Sequence, residues 1–256
     1  MITLKTPEEL EIFREGGRRH AVVLTRIAET VRPGILASEL NNLAMTLVRE
    51  SGGKPAFLNY KPRGARRPYP AALCVSVNDE IVHGIPNENE KILREGDIVS
   101  LDLGFSYQGL ITDMAVTVPV GRVGETAKSL IDATAEALEL GVAAVKSNGA
   151  IGDIGAAIQS FVKKTGFSLA EGLAGHGVGY AVHEDPYVPN SGRKGNGEKL
   201  QVGMVLALEP MLCEGSGKIV LAPDGYTYKT ADGRRSAHFE NTVVVTENGA
   251  EVLTKI

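Results

Sequence analysis

The chain has 256 residues, 43% hydrophobic and 23% charged, with a net charge of −4. That length suits one large domain with a substantial core, and the acidic balance offers no global attraction for DNA or an anionic membrane. No apolar run is long enough to cross a bilayer, and the opening "MITLKTPEELEIFREGG" lacks the basic start and apolar stretch of a signal peptide. The two cysteines, Cys74 and Cys213, sit among apolar neighbours without a nearby partner, which reads as reduced thiols in a cytoplasmic protein.

The segment "TPEEL" predicts a capping box, with Thr6 as N-cap, Pro7 in the first helical position and Glu9 reaching back. Leu10, Phe13, Ala21, Leu24, Ala28 and Val31 then recur at helical spacing, and Arg32-Pro33-Gly34 ends the helix. A second helix is expected from Ser38 to Gly52-Gly53. The Pro- and Arg-rich stretch 54–72 reads as an exposed loop. "LCVSV" (73–77) and "IVHGIP" (81–86) are short extended pieces, followed by a hairpin over 100–118. Helical patterns cover 125–147 and 152–165. "MVLALEP", "GKIVLAP" and "FENTVVVT" are strands. With no repeat and no linker, the chain reads as one α+β domain over 1–256, its similar halves at about 1–124 and 125–256.

The hairpin carries Asp102 and Asp113 and no basic residue. Alternation puts Asp102 on a face with Ser100 and Gly104. A two-residue turn at Tyr107-Gln108 pairs Phe105 with Leu110 and sets Asp102 directly opposite Asp113. Like charges in that relation repel. A shared proton, an open face in water, or a cation between the carboxylates each relieves the repulsion.

The rest of the chain adds acids in unusual places. Glu209 ends one apolar strand and Glu240 starts another, where an unpaired carboxylate is costly. "GLAGHGVGYAVHEDP" holds His176 and His183 among glycines that allow close backbone approach. Asp102, Asp113, His176, Glu209 and Glu240 make four carboxylates and one imidazole, a set suited to Mn, Fe, Co or Zn rather than Cu. Neither cysteine adjoins them in sequence, against a thiolate zinc site. Two divalent cations would balance the four negative charges and relieve the hairpin's repulsion; bridging carboxylates would hold them about 3.5–4 Å apart.

These segments closely resemble the type I methionine aminopeptidases over nearly the whole chain. The resemblance rests on "VNDEIVHGIP", two aspartates eleven residues apart, "GHGVGYAVHEDP", "LEPM" and "FENTVVV", in that order. It implies the pita-bread (creatinase/aminopeptidase) fold, with pseudo-twofold halves around a dinuclear metal centre. Asp102 would chelate one ion, Asp113 and Glu240 would bridge both, and His176 and Glu209 would complete the set. His83 and His183 match substrate-contacting histidines. Tyr69, Cys74, Val182 and Tyr226 match the methionine pocket, and Asn78 and Ser236 match a monovalent-cation loop. The implied reaction removes the initiator methionine from nascent polypeptides, favouring a small second residue, in a short, bacterial-type, monomeric enzyme.

The sequence departs from that pattern at Val182, often aromatic in the family, and at Tyr226, where bacterial relatives often have Trp. "KPRGARRP" resembles an insertion. Through Lys61, Arg63, Arg66 and Arg67 it would rim the site, touch the ribosome, or stand solvated. In the implied chemistry the ions activate a water and one holds the substrate's α-amino group. Glu209 shuttles the proton, His183 donates to the carbonyl oxygen, and His83 positions the scissile amide. Two other readings stay open. Xaa-Pro aminopeptidases and prolidases carry an added N-terminal domain, for which a helix starting near residue 6 leaves no room. Non-enzymatic binding relatives have lost ligands that are all filled here.

Overall fold

The computed structural model describes residues 2–62, 64–89 and 91–256. Helices α1 (Pro7–Ala28) and α2 (Ala37–Glu50) precede β1 (Lys54–Pro55), β2 (Leu73–Val77), β3 (Glu80–Val82), β4 (Ile98–Tyr107) and β5 (Leu110–Pro119). Helices α3 (Glu125–Ala144) and α4 (Ile151–Val162) follow. They precede β6 (Ser168–Leu169), β7 (Ala174–Gly177), β8 (Glu184–Pro189), β9 (Val205–Leu208), β10 (Met211–Cys213) and β11 (Ile219–Leu221). The chain ends with β12 (Tyr228–Thr230), β13 (Ser236–His238), β14 (Glu240–Thr246) and β15 (Gly249–Val252).

The capping box at Thr6 forms: Glu9 N donates to Thr6 Oγ1 (3.3 Å) and Thr6 N donates to Glu9 Oε2 (2.8 Å). The helix stops at Ala28, short of Val31; Glu29 is its C-cap, and Thr30 N and Val31 N donate to the carbonyls of Ile27 and Ala28 in tighter turns. α2 starts at Ala37, one residue before Ser38, where Leu36 N donates to Glu39 Oε2 at 3.0 Å. α3 and α4 end three residues sooner than their sequence patterns, at Ala144 and Val162. Val145 leaves the helix with an extended backbone to bury its side chain in the core.

A nine-stranded antiparallel sheet runs in the order β1-β4-β5-β14-β9-β7-β8, with β2 also on β4 and β15 also on β14. Helices cover one face of it. α1 and α2 bury Leu24, Ile27 and Leu40 against Leu101 and Leu103 of β4. α3 and α4 bury Leu130, Ile154 and Ile158 against Leu206, Val243 and Val245. Each fully buried Leu or Ile contributes about 1.5–3 kcal/mol. The opposite face therefore carries the alternate residues: Asp102 and Gly104 of β4, Asp113 and Ala115 of β5, and Glu240 and Thr242 of β14.

The β4–β5 hairpin corrects the expected register. Its two turn residues are Gln108 and Gly109, so Tyr107 pairs with Leu110, Asp102 with Ala115 and Gly104 with Asp113. Both turn residues have positive φ, 48° and 87°. That is the backbone of the tight hairpin turn whose twist matches the strands, and glycine takes it without strain. Asp102 and Asp113 are diagonal neighbours rather than directly opposed. The shift of two residues preserves the face each one occupies.

Candidate metal centre

Strand register assembles the five expected ligands in two adjacent rows. Asp102 pairs with Ala115 and Ala115 with Glu240. The β14–β9 register then continues to set Glu209, one residue beyond β9, beside Glu240. The next row on the same face, about 7 Å along the strands, holds Gly104, Asp113, Thr242, Ala207 and His176. Alanine and glycine between the ligands keep the space above the sheet open. Thr242 locks Asp113 by accepting from its N–H (2.8 Å) and donating to its carbonyl oxygen (2.7 Å).

All five side chains are buried, between 2% and 9% exposed, so the face is not an open, solvated surface. Ligand atoms of Asp113, His176 and Glu240 lie within 4.8 Å of one another. His176 Nε2 is 3.4 Å from Glu209 Oε1. His176 Nδ1 sits 2.9 Å from the carbonyl oxygen of Gly177, so Nδ1 is the protonated nitrogen and Nε2 keeps its lone pair for a cation. Among the described residues no lysine or arginine pairs with the four carboxylates, and Asp102 Oδ1 and Glu240 Oε1 have no hydrogen-bond partner.

That arrangement is costly without cations. Burial raises the carboxyl pKa values above their ordinary range, Asp102 to about 7. Burial, then the charges of Asp102 and Glu209, raises Asp113, and Glu240 rises through burial and its neighbours Asp113 and Glu209. Asp102 and Asp113 act on each other's titration, as a shared proton allows. Divalent cations meet the demand of these oxygens and displace that proton near neutral pH. The donor set fits such ions.

One member escaped the sequence reading. His238 is 1% exposed, and neither ring nitrogen has a partner. Its Nε2 stands 3.7 Å from Glu209 Oε2 and 3.7 Å from Glu240 Oε2. Burial lowers its pKa to about 3, so the ring is neutral. The available signal was strand alternation, since His238 lies two residues before Glu240.

A cavity of about 700 Å³ opens above the ligands. Tyr69, Cys74, Val182 and Tyr226 cluster in its wall with Phe57. The rings of Tyr69 and Tyr226 meet edge to face at 5.2 Å. Cys74, apart from the ligands in sequence, is the cross-strand partner of Asp102. Burial and the Asp102 charge push the thiol's pKa up, so it stays protonated. His83 and His183 also line the cavity. His83 has φ of +59°, a strained backbone for a non-glycine residue. His183 rests against His176, ring centroids 4.4 Å apart, and its Nδ1 is 2.9 Å from the hydroxyl of Tyr60.

Asn78 and Ser236 meet away from this cavity, where the Asn78 carbonyl accepts from Ser236 N (2.8 Å) and Oγ (3.1 Å). In the basic loop, Arg63 lies outside the described residues. Lys61 and Arg66 are exposed, whereas Arg67 pairs with Glu88. Tyr69 N donates to the Tyr60 carbonyl (2.8 Å) and Asn59 N to that of Tyr69 (2.9 Å), closing the loop at its base beside the cavity.

Buried acids and one oriented imidazole, set on an antiparallel sheet beneath an apolar cavity, define a metal-dependent hydrolase of the pita-bread architecture. The model of metallopeptidase family M24 matches residues 11–247, and the chain belongs to that family. It is 42% identical over 256 residues to the methionine aminopeptidase of Clostridium perfringens, covering the whole of both sequences. The crystal structure of the methionine aminopeptidase from Thermotoga maritima matches with a TM-score of 0.95 at 43% identity, covering all of both chains. The prolidase from Pyrococcus furiosus shares the fold, with a TM-score of 0.76 at 23% identity over 99% of this chain and 65% of that one.

Proposed function

We propose that this chain removes the initiator methionine from nascent polypeptides, favouring a small second residue, with two divalent ions held by Asp102, Asp113, His176, Glu209 and Glu240. The observation that carries the reading is the convergence of those five side chains beneath a cavity walled by Tyr69, Cys74, Val182 and Tyr226. An unbranched thioether suits such a wall, since sulfur–aromatic contacts add about 0.3–1.5 kcal/mol each. Bound divalent ions supply Lewis acidity and a water of lowered pKa.

The chain's own groups do the rest. Glu209, one residue beyond β9 and beside Glu240, accepts the water's proton and passes it to the leaving nitrogen. His183 donates to the carbonyl oxygen as charge develops there. His83 positions the scissile amide. Neutral His238, with its Nε2 3.7 Å from both Glu209 and Glu240, packs against the two carboxylates and limits how they can turn. Residues that only orient a metal's ligands cost about 10–100-fold in affinity when removed. His238→Ala is therefore expected to weaken metal binding by that factor in calorimetric titration. Unchanged affinity would remove His238 from the site. Asn78 and Ser236 offer carbonyl and hydroxyl oxygens to a monovalent cation, and Lys61 and Arg66 are free to meet ribosomal RNA.

Activity on a Met-Ala-Ser peptide tests the reading directly. Chelation should abolish cleavage, and adding back Mn, Fe, Co or Zn should restore it to differing degrees. An Xaa-Pro peptide should survive. Preferential cleavage of the Xaa-Pro peptide, or turnover that persists after chelation, would refute the assignment.

A further inference from the structure

Residues 179–183, which carry Val182 and His183, belong to no helix or strand. Their shape is held from the side by the segment preceding α1. Glu184 is the centre of this arrangement. Its Oε1 accepts from the backbone N–H groups of Tyr180 and Ala181 (3.0 Å for the latter), folding the carboxylate back across the loop it ends. Its Oε2 accepts from Lys5 Nζ and Thr3 Oγ1, both at 2.8 Å.

Lys5 is buried, 5% exposed, and its backbone N–H donates to the Gly203 carbonyl at 2.8 Å. Its ammonium lies 4.0 Å from the centroid of the Tyr180 ring. The Tyr180 hydroxyl donates to Glu9 Oε1 at 2.7 Å, and the other oxygen of Glu9 caps α1. The first residues of the chain thus close a ring of hydrogen bonds around the loop. Gly179 leaves room for the Lys5 stem: a Cβ there would come within 2.7 Å of Lys5 Cε.

A buried ion pair is a poor device for stability alone, since well-packed apolar residues serve that purpose as well or better. What the pair does supply is direction. Glu184 fixes two backbone N–H groups on the near side of His183, and Lys5 fixes Glu184. We propose that Lys5 and Glu184 are positioning residues for the reaction, holding His183 over the metal centre. The N-terminal segment is then part of the active-site machinery, although Lys5 does not line the cavity. This inference rests on the catalytic reading of His183.

The test uses the full-length, metal-loaded protein and a Met-Ala-Ser peptide. Lys5→Met keeps the length and apolar stem of the side chain and removes the ammonium. Glu184→Gln is the milder second variant, and circular dichroism confirms that each is folded. Displacing a catalytic group by about 1 Å can cost about 10²-fold. Each variant should lower kcat by about 10-fold or more, with KM and metal content nearly unchanged. In a His183→Ala background, the same substitutions should cause no further loss of kcat. Full turnover by folded Lys5→Met and Glu184→Gln would overturn the positioning role, as would an equal loss in the His183→Ala background. If His183→Ala alone left kcat intact, the reading of His183 itself would fail, a result separable from the other two.

Discussion

Replacing Asp113 with asparagine is expected to abolish tight binding of one metal ion and to lower turnover on Met-Ala-Ser by more than about 10²-fold. Asp113 stands in the row of Gly104 and His176, diagonal to Asp102, and its ligand atoms lie within 4.8 Å of those of His176 and Glu240. No neighbour can take its place. Thr242 fixes its backbone rather than its carboxylate, and Ala207 has nothing to offer a cation. Removing a residue that merely orients a ligand already costs about 10–100-fold, so loss of the proposed bridging ligand should cost more. Asparagine keeps the volume while removing one of four buried carboxyl groups. The metal-free variant should therefore melt no lower than the metal-free wild type. Elemental analysis, thermal melting and kinetics together separate loss of metal from loss of fold. Near-normal turnover would reject the bridging role.

Much of this site was legible in the sequence because its chemistry conflicts with its surroundings. Asp102, Asp113, Glu209 and Glu240 lie in apolar strands where an unpaired carboxylate is expensive, and that mismatch marks them without a structure. The first helix was legible through Thr6 and Glu9, whose capping chemistry is local. The hairpin register slipped by two residues because the turn was set at Tyr107-Gln108, when Gly109 marks the position that needs positive φ. Its consequence was small, since an even slip leaves every side chain on its face.

Other features depend on tertiary structure. Cys74 reaches Asp102 only through the β2–β4 pairing, and Lys5 meets Glu184 across 179 residues of chain. Tyr60 is separated from Tyr69 by the basic loop, and nothing in its immediate sequence signals His183 as its partner. His238 is the instructive case. Its spacing from Glu240 was visible, yet a histidine next to a phenylalanine reads as ordinary core until two carboxylates are found 3.7 Å away.

His183→Ala is expected to lower kcat by about 10²–10³-fold with little change in KM, the signature of a donor that acts on charge developing in the transition state. The geometry supports that split. Cavity walls lower the pKa of His183, so the ring is neutral at physiological pH. Tyr60 Oη and His183 Nδ1 are 2.9 Å apart; a Tyr60 hydroxyl donating there would leave the ring's proton on Nε2, where it can be given to a carbonyl oxygen. The apolar cluster of Tyr69, Cys74 and Tyr226, the proposed methionine wall, does not include the imidazole, so ground-state binding of the side chain should survive the substitution. His176 stays oriented through Gly177, which leaves metal content intact. Steady-state kinetics on Met-Ala-Ser, with metal content measured on the same sample, decide the matter. A rise in KM at unchanged kcat would make His183 a binding residue and leave oxyanion stabilisation to the metal ions.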